Sequence, residues 1–227
     1  MAIAVSASSS VVVVGAHPDD VKSFTGVLVR ALAKGARVHS VGVTNGERFN
    51  SSTPEEAARM GARRKEEQHA FLAALGVPRE HIFQLGFANG CLTAMRTDYW
   101  EQKGEPYFAP VLGADRVIDA DAYRPGAPFF GEAFLGILKE VIASVQPTHV
   151  LTHHPKDDHD EHRAVAFFVK RAVSELVAEQ KLAAPELYAS LVYFPRVEWP
   201  PAGDTFLGGS FATLALAADA LRFELTP

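Results

Sequence analysis

Two short stretches of this 227-residue chain concentrate groups able to bind a metal or move a proton. The first is Ala16-His17-Pro18-Asp19-Asp20. The second is His153-His154-Pro155-Lys156-Asp157-Asp158-His159-Asp160-Glu161-His162. Zinc takes imidazole nitrogen and carboxylate oxygen at about 2.0–2.2 Å, and a catalytic site usually supplies three protein ligands and one open position. On a turn leaving a strand, His17 and Asp20 could bind one ion while Asp19 stays free. A free carboxylate beside a metal-activated water is a natural general base. The third ligand must come from the second stretch. There His159 and His162 stand three apart, on one face of a helix's first turn. One can ligate while the other faces the substrate. Glu161 or Asp157 can hydrogen-bond an imidazole and fix its tautomer. Asn45 and Glu47, in Thr44-Asn45-Gly46-Glu47, are candidates to bind substrate hydroxyls or brace the site. His154 is a candidate to contact substrate or hold its strand end, and His153 reads as structural.

These groups need elements that bring them together. Val11 to Gly15 is a continuous apolar run, as expected of a strand buried on both faces. A helix is expected over Ser23 to Lys34, closed by Gly35. A strand follows from Arg37 to Val43. Pro54 to Leu75 reads as a long helix, with Thr53 as its cap, Pro54 at its first position and Gly76 at its end. A strand at His81 to Leu85, a helix at Gly131 to Val145, a strand around Val150 to Thr152 and a helix from Glu161 to Gln180 continue the alternation. Leu187 to Phe194 is a last strand. Such alternation implies βαβ units, right-handed crossovers and a mostly parallel, Rossmann-like α/β sheet flanked by helices. Ligands of such sheets bind outside the carboxyl ends of the strands, where both clusters lie. Residues 93–130, rich in Pro, Gly and aromatics without a clear period, are expected to form an inserted lobe or lid. The tail, 197–227, is read as an extension with a helix from Phe211 to Phe223, giving one domain over 1–227.

Composition narrows the partners. The net charge is −5, and no basic block offers a nucleic-acid surface. No run of about 18 apolar residues could span a bilayer. The single cysteine, Cys91, cannot form an internal disulfide. A cytoplasmic protein acting on a small molecule is the expectation, and a homo-oligomer is left open.

The paired motifs resemble those of the LmbE-like, or PIG-L, family of zinc-dependent de-N-acetylases. The resemblance rests on Ala16 to Asp20, on His154 to His162, on Thr44 to Glu47, and on Arg64, Glu67, Leu75 and Gly76. It covers roughly residues 11–172. It implies that His17, Asp20 and His162 bind Zn²⁺, or another divalent metal. It makes Asp19 the general base and has His159, charged, stabilise the tetrahedral oxyanion or protonate the leaving amine. It has Arg64 contact the substrate, an N-acetylated amino sugar or glycoside. Two positions depart from the family pattern: Val21 stands where Glu is usual, and Glu161 where Asp is usual. The longer Glu161 side chain is expected to re-aim its hydrogen bond to His159. An amidase acting on larger amides, such as thiol-sugar conjugates, would carry the same motifs. So would a relative that binds metal without catalysing. A Rossmann-type nucleotide-binding module is disfavoured, because Gly15-Ala16-His17-Pro18 is no G-x-G-x-x-G loop.

Overall fold

A computed structural model describes residues 3–193. The expected helix from Phe211 to Phe223 and the extension 197–227 lie outside the described residues. Five strands form one sheet: β1 (Ser10–Gly15), β2 (Arg37–Thr44), β3 (Ile82–Phe87), β4 (His149–His153) and β5 (Glu186–Ser190). All neighbours pair in parallel, in the order β3-β2-β1-β4-β5. The fold is the α/β sheet that the alternation predicts.

The valine run explains why β1 is central. Val11 and Val13 point to one face and Val12 and Val14 to the other, as the two-residue period of a strand requires. All four are fully buried. Val11 and Val13 join a core with Leu28 of α1 (Thr25–Ala33) and Leu72 of α2 (Pro54–Ala74). Val12 and Val14 join the larger core. It includes α3 (Leu92–Thr97), α4 (Gly131–Val145) and α5 (Asp160–Ala178). Strand β5 ends at Ser190, short of the expected Phe194, which lies outside the described residues.

The first expected helix is split. Asp20–Phe24 forms a 3-10 turn, and α1 starts only at Thr25. The cause is local: the His17 N–H donates to Asp20 Oδ2 at 2.6 Å, and the Asp20 N–H donates to His17 O at 3.2 Å. These bonds fold the chain back tightly before a regular helix can start. Helix α2 begins as expected, with the Glu56 N–H donating to Thr53 Oγ1 at 3.2 Å and proline at its first position.

Residues 93–130 open with the unexpected short α3 and then run without long elements. Met95, Ala109, Val117, Ala122 and Phe129 nevertheless sit in the larger core. The segment is tied to the sheet and to α2: Tyr123 N–H donates to Gln84 O at 2.7 Å, and Lys65 Nζ to Asp119 Oδ2 at 2.8 Å.

The chain leaves β1 toward β2 on one side, and β4 leads to β5 on the other. The order reverses between β1 and β4, so a crevice opens at their carboxyl ends.

Candidate metal centre

Both clusters meet in that crevice. The turn after β1 brings His17 and Asp20; the loop after β4 and the start of α5 bring Asp157, His159, Glu161 and His162. His17 Nδ1 lies 3.4 Å from Asp20 Oδ2, and His162 Nε2 lies 3.3 Å from Asp20 Oδ1. All three residues are buried, with candidate ligand atoms within 4.8 Å of one another. The far nitrogen of each imidazole is backed by a carboxylate. His17 Nε2 stands 2.9 Å from Glu161 Oε2. His162 Nδ1 stands 3.2 Å from Asp157 Oδ1, close enough to pair but off the line of a hydrogen bond. A carboxylate behind an imidazole fixes which nitrogen it offers to a metal. Here that nitrogen faces Asp20 in both rings.

The charges fit a cation. Burial opposes ionisation of Asp20, yet His153, His162 and His17 hold its carboxyl well below the usual range. Burial likewise works against a charged His17, but Asp20 and Glu161 override it and raise the imidazole to about 10. The cluster therefore demands positive charge at its centre, as a proton or as a divalent ion. The donor set of two imidazoles and one carboxylate suits a divalent metal such as zinc. His153, Asp157 and His162 form a second close group. Asp157 is already engaged there, accepting from the backbone N–H groups of His159 at 3.0 Å, Val192 at 2.7 Å and Tyr193 at 3.2 Å.

Asp19 stands outside this cluster. Its side chain is 56% exposed, and its Oδ1 accepts from Arg64 Nη2 at 2.5 Å. Arg64 also donates to Gly46 O at 2.8 Å. The arginine expected to contact substrate thus grips the candidate base. His159 caps α5, its Nδ1 accepting the Glu161 N–H at 3.3 Å. Its ring meets His17 edge-on at 4.9 Å and stacks on His162 at 4.5 Å. The expectation of a charged His159 is not met. Burial first, then His17 and His162, lower its pKa, so it faces the site as a neutral imidazole. Because Nδ1 accepts, its proton sits on Nε2.

The Glu161 carboxylate does not turn to His159. Besides His17, it takes the Asn89 amide and the Gly90 N–H, the latter at 2.7 Å. Val21 is 2% exposed and packs in the core with Val13 and Phe24. An acid there would be buried among apolar side chains, which accounts for valine.

Glu47 is 2% exposed, and its Oε1 accepts the Asn89 N–H at 2.5 Å. Burial pushes its carboxyl up to about 7. Asn45 donates to Asp119 Oδ2 at 3.0 Å. His154 is buried, and its Nδ1 accepts the Lys156 N–H at 3.0 Å within its own turn. Asn45 and His154 thus sit beside the cluster rather than in it.

Sequence reasoning passed over two contributors. His153 places Nε2 3.0 Å from Asp20 Oδ2, and its ring stacks on His162 at 3.8 Å. The same nitrogen takes the Ala16 N–H at 3.0 Å. Burial lowers the pKa of His153, and Asp20 works against that shift. Asn89 follows β3 as His17 follows β1; its position at a strand end was the available signal. Beside Asn89 and Gly90 opens a cavity of about 370 Å³.

Solved structures share this architecture. The conserved protein TT1542 from Thermus thermophilus is 21% identical, with a TM-score of 0.55 over 84% of this chain and 69% of its own. The 4-carboxy-2-hydroxymuconate hydratase from Pseudomonas putida KT2440 is 22% identical, with a TM-score of 0.55. That match covers 80% of this chain but 65% of the hydratase, just under two thirds of its length. The pseudoaglycone deacetylase of the antimicrobial A40926 is 20% identical, with a TM-score of 0.51 over 86% of this chain and 70% of its own. At such identities the likeness establishes the fold. A search of curated proteins finds no match. The sequence model of the PIG-L family, described as GlcNAc-PI de-N-acetylase, matches residues 12–173. That span holds both clusters and most of the sheet, and the chain belongs to this family.

Proposed function

We propose that the protein is a zinc-dependent hydrolase that removes the acetyl group from an N-acetylated amino sugar or glycoside. The observation that carries this reading is the convergence of His17, Asp20 and His162, with Asp19 left outside the cluster. The family description, a de-N-acetylase, supports the same reaction.

When bound, the metal supplies Lewis acidity, polarising a carbonyl and acidifying water. The protein supplies the proton traffic. Asp19 takes a proton as water attacks the acetyl carbon; Arg64 holds Oδ1, which leaves Oδ2 for that proton. The Nε2–H of His159 donates to the oxyanion as the carbonyl becomes tetrahedral, an interaction typically worth about 3 kcal/mol. Asp19 then returns its proton to the departing nitrogen as the C–N bond breaks. Acetic acid and the amine result, and transfer of the acid's proton to the amine leaves acetate and an ammonium group.

The test combines metal analysis of the purified protein with acetate release from an N-acetylglucosaminide, set beside longer amides. The expected result is a stoichiometric metal, acetate from the sugar and loss of activity with a chelator. A metal-loaded protein that releases no acetate from any of these amides overturns the reading. Preference for the longer amides would favour an amidase. Asp19→Asn is expected to keep the metal and lose at least about 100-fold in turnover, the usual contribution of a positioned base. Full activity in that variant removes Asp19 from the role.

A further inference from the structure

The turn that follows β2 does more than carry Glu47. It builds a seat for the guanidinium of Arg64, the group that holds Asp19. Gly46 is the floor of that seat. It has φ +64°, and a Cβ built there would stand 2.6 Å from Arg64 Cζ, closer still to Nη1, and 3.0 Å from Pro18 Cδ. The guanidinium therefore lies against bare Gly46 backbone, and only glycine leaves that space. The Gly46 carbonyl accepts from Arg64 Nη1 at 2.8 Å and from the Phe49 N–H at 3.4 Å, so arginine and phenylalanine are tied to one oxygen. The Ser51 hydroxyl donates to Phe49 O at 3.2 Å and fastens the other side of that residue. Arg64 Cζ stands over the Phe49 ring, 5.8 Å from its centre. A cation at that distance from an aromatic face is attracted to it. Asp19 is the one carboxylate paired with Arg64 among the described residues.

Core packing does not account for an aromatic residue at Phe49. It is 61% exposed and joins neither core. Arg64 shows the opposite anomaly: the charged end of an arginine ordinarily stays in water, yet this side chain is only 16% exposed. We propose that Gly46 and Phe49 are positioning residues. They seat Arg64, and through it they fix the Asp19 carboxylate where it takes and returns the proton. The proton step rests on the hydrolase reading above; the seat itself rests on the turn. Asp19 has no other side-chain partner among the described residues, so a guanidinium free to swing would carry its carboxylate along or let it go. That matters beyond the strength of any one contact, because a displacement of about 1 Å at a reacting group can cost on the order of 100-fold in rate.

The experiment compares Phe49→Leu, Phe49→Tyr and Gly46→Ala in the metal-loaded protein, with acetate release from an N-acetylglucosaminide as the activity. Phe49→Leu is expected to lower kcat by roughly three- to tenfold, with KM and metal content unchanged, as a cation–π contact is lost and the base drifts. Phe49→Tyr keeps an aromatic face and should recover most of that loss. Gly46→Ala puts a Cβ where the guanidinium lies and is expected to cost at least about tenfold in kcat. It also strains the backbone at φ +64°, so the two Phe49 variants carry the test where Gly46→Ala does not fold. Combined with Asp19→Asn, Phe49→Leu should cost nothing further, because the base it positions is already gone. A merely structural ring would cost the same in both backgrounds. A parental kcat in Phe49→Leu, a loss that persists beside Asp19→Asn, or a loss that tyrosine does not recover overturns the proposal. A second readout needs no turnover. The Nη protons of Arg64, identified by their absence in Arg64→Lys, are expected as resolved NMR signals of the resting protein that shift and broaden in Phe49→Leu. Such signals in a parent that releases no acetate would sink the hydrolase reading and leave the seat standing. Acetate release with signals that Phe49→Leu leaves in place would do the reverse.

Discussion

Asp20 answers to three imidazoles, from His17, His153 and His162, and to the His17 N–H. One carboxylate so heavily engaged is rigid, which suits a ligand and not a base. Asp19, exposed and held by a single arginine, has the opposite character. Adjacent identical residues thus divide the work because their surroundings differ. Glu47 shows how much burial alone can do. Its carboxyl titrates near 7 in the folded protein, against 4.5 for an ordinary glutamate. Below pH 4.5 both folded and unfolded forms hold the proton, and nothing is lost. Between 4.5 and about 7 the folded form keeps a proton that the unfolded form releases, so stability falls as pH rises. The full loss, on the order of 3 kcal/mol, is present above about pH 7. Glu47→Gln cannot release a proton. The stability difference between variant and parent, from urea unfolding, should therefore move in the variant's favour from pH 4.5 to pH 8. A constant difference across that range would contradict the assigned ionisation.

At the scale of elements, Lys65 of α2 does what no regular element does for residues 98–130. Its side chain is 9% exposed, and it holds Asp119, whose side chain is 16% exposed. Lys65→Met removes the cation from a mostly buried carboxylate and leaves it only the Asn45 amide and the Asp121 N–H, and a loss of about 3 kcal/mol is expected. Urea unfolding should show a lower midpoint with an unchanged slope. Adding Asp119→Asn should recover part of it; a single variant as stable as the parent would refute the pairing. This pair also marks where sequence reasoning stops. The strands of the sheet and helices α2, α4 and α5 were legible, because their apolar periods and caps are local. Val11 to Val14 announce a strand buried on both faces, and Thr53-Pro54 announces a helix start. The pairing of the two clusters was legible from strand ends. The partners of Glu161, by contrast, depend on where Asn89 and Gly90 arrive after β3, a matter of tertiary register. Short α3 carries no cap signal: its leading residue, Cys91, makes no side-chain capping bond. The 3-10 turn at Asp20–Phe24 arises because the His17–Asp20 contact overrides the helical pattern of Ser23 to Lys34.

For the whole molecule, the sheet is a frame that does not choose a reaction. A hydratase and a pseudoaglycone deacetylase both share it. What the frame imposes on the proposed metal site is linkage between binding and folding, since His17, Asp20 and His162 converge only in the native sheet. A metal at about 100 times its Kd should stabilise the protein by about 2.7 kcal/mol, raising Tm by roughly 5–10 °C for a chain of this size. Thermal unfolding with and without chelator checks this; an unchanged Tm would mean that the cluster does not hold the ion. No described helix is long and apolar enough to cross a membrane. The order of the strands also sets a clock. The Ala16 N–H to His153 bond joins residues 137 positions apart. A chain made from its amino end offers His17 and Asp20 long before His162 exists. The early pair offers two of the three proposed ligands, and the set is complete only once β4 lies beside β1 and α5 follows it. On the proposed reading, capture of an ion is therefore a late event in the life of each new chain, with β5 alone left to join the sheet.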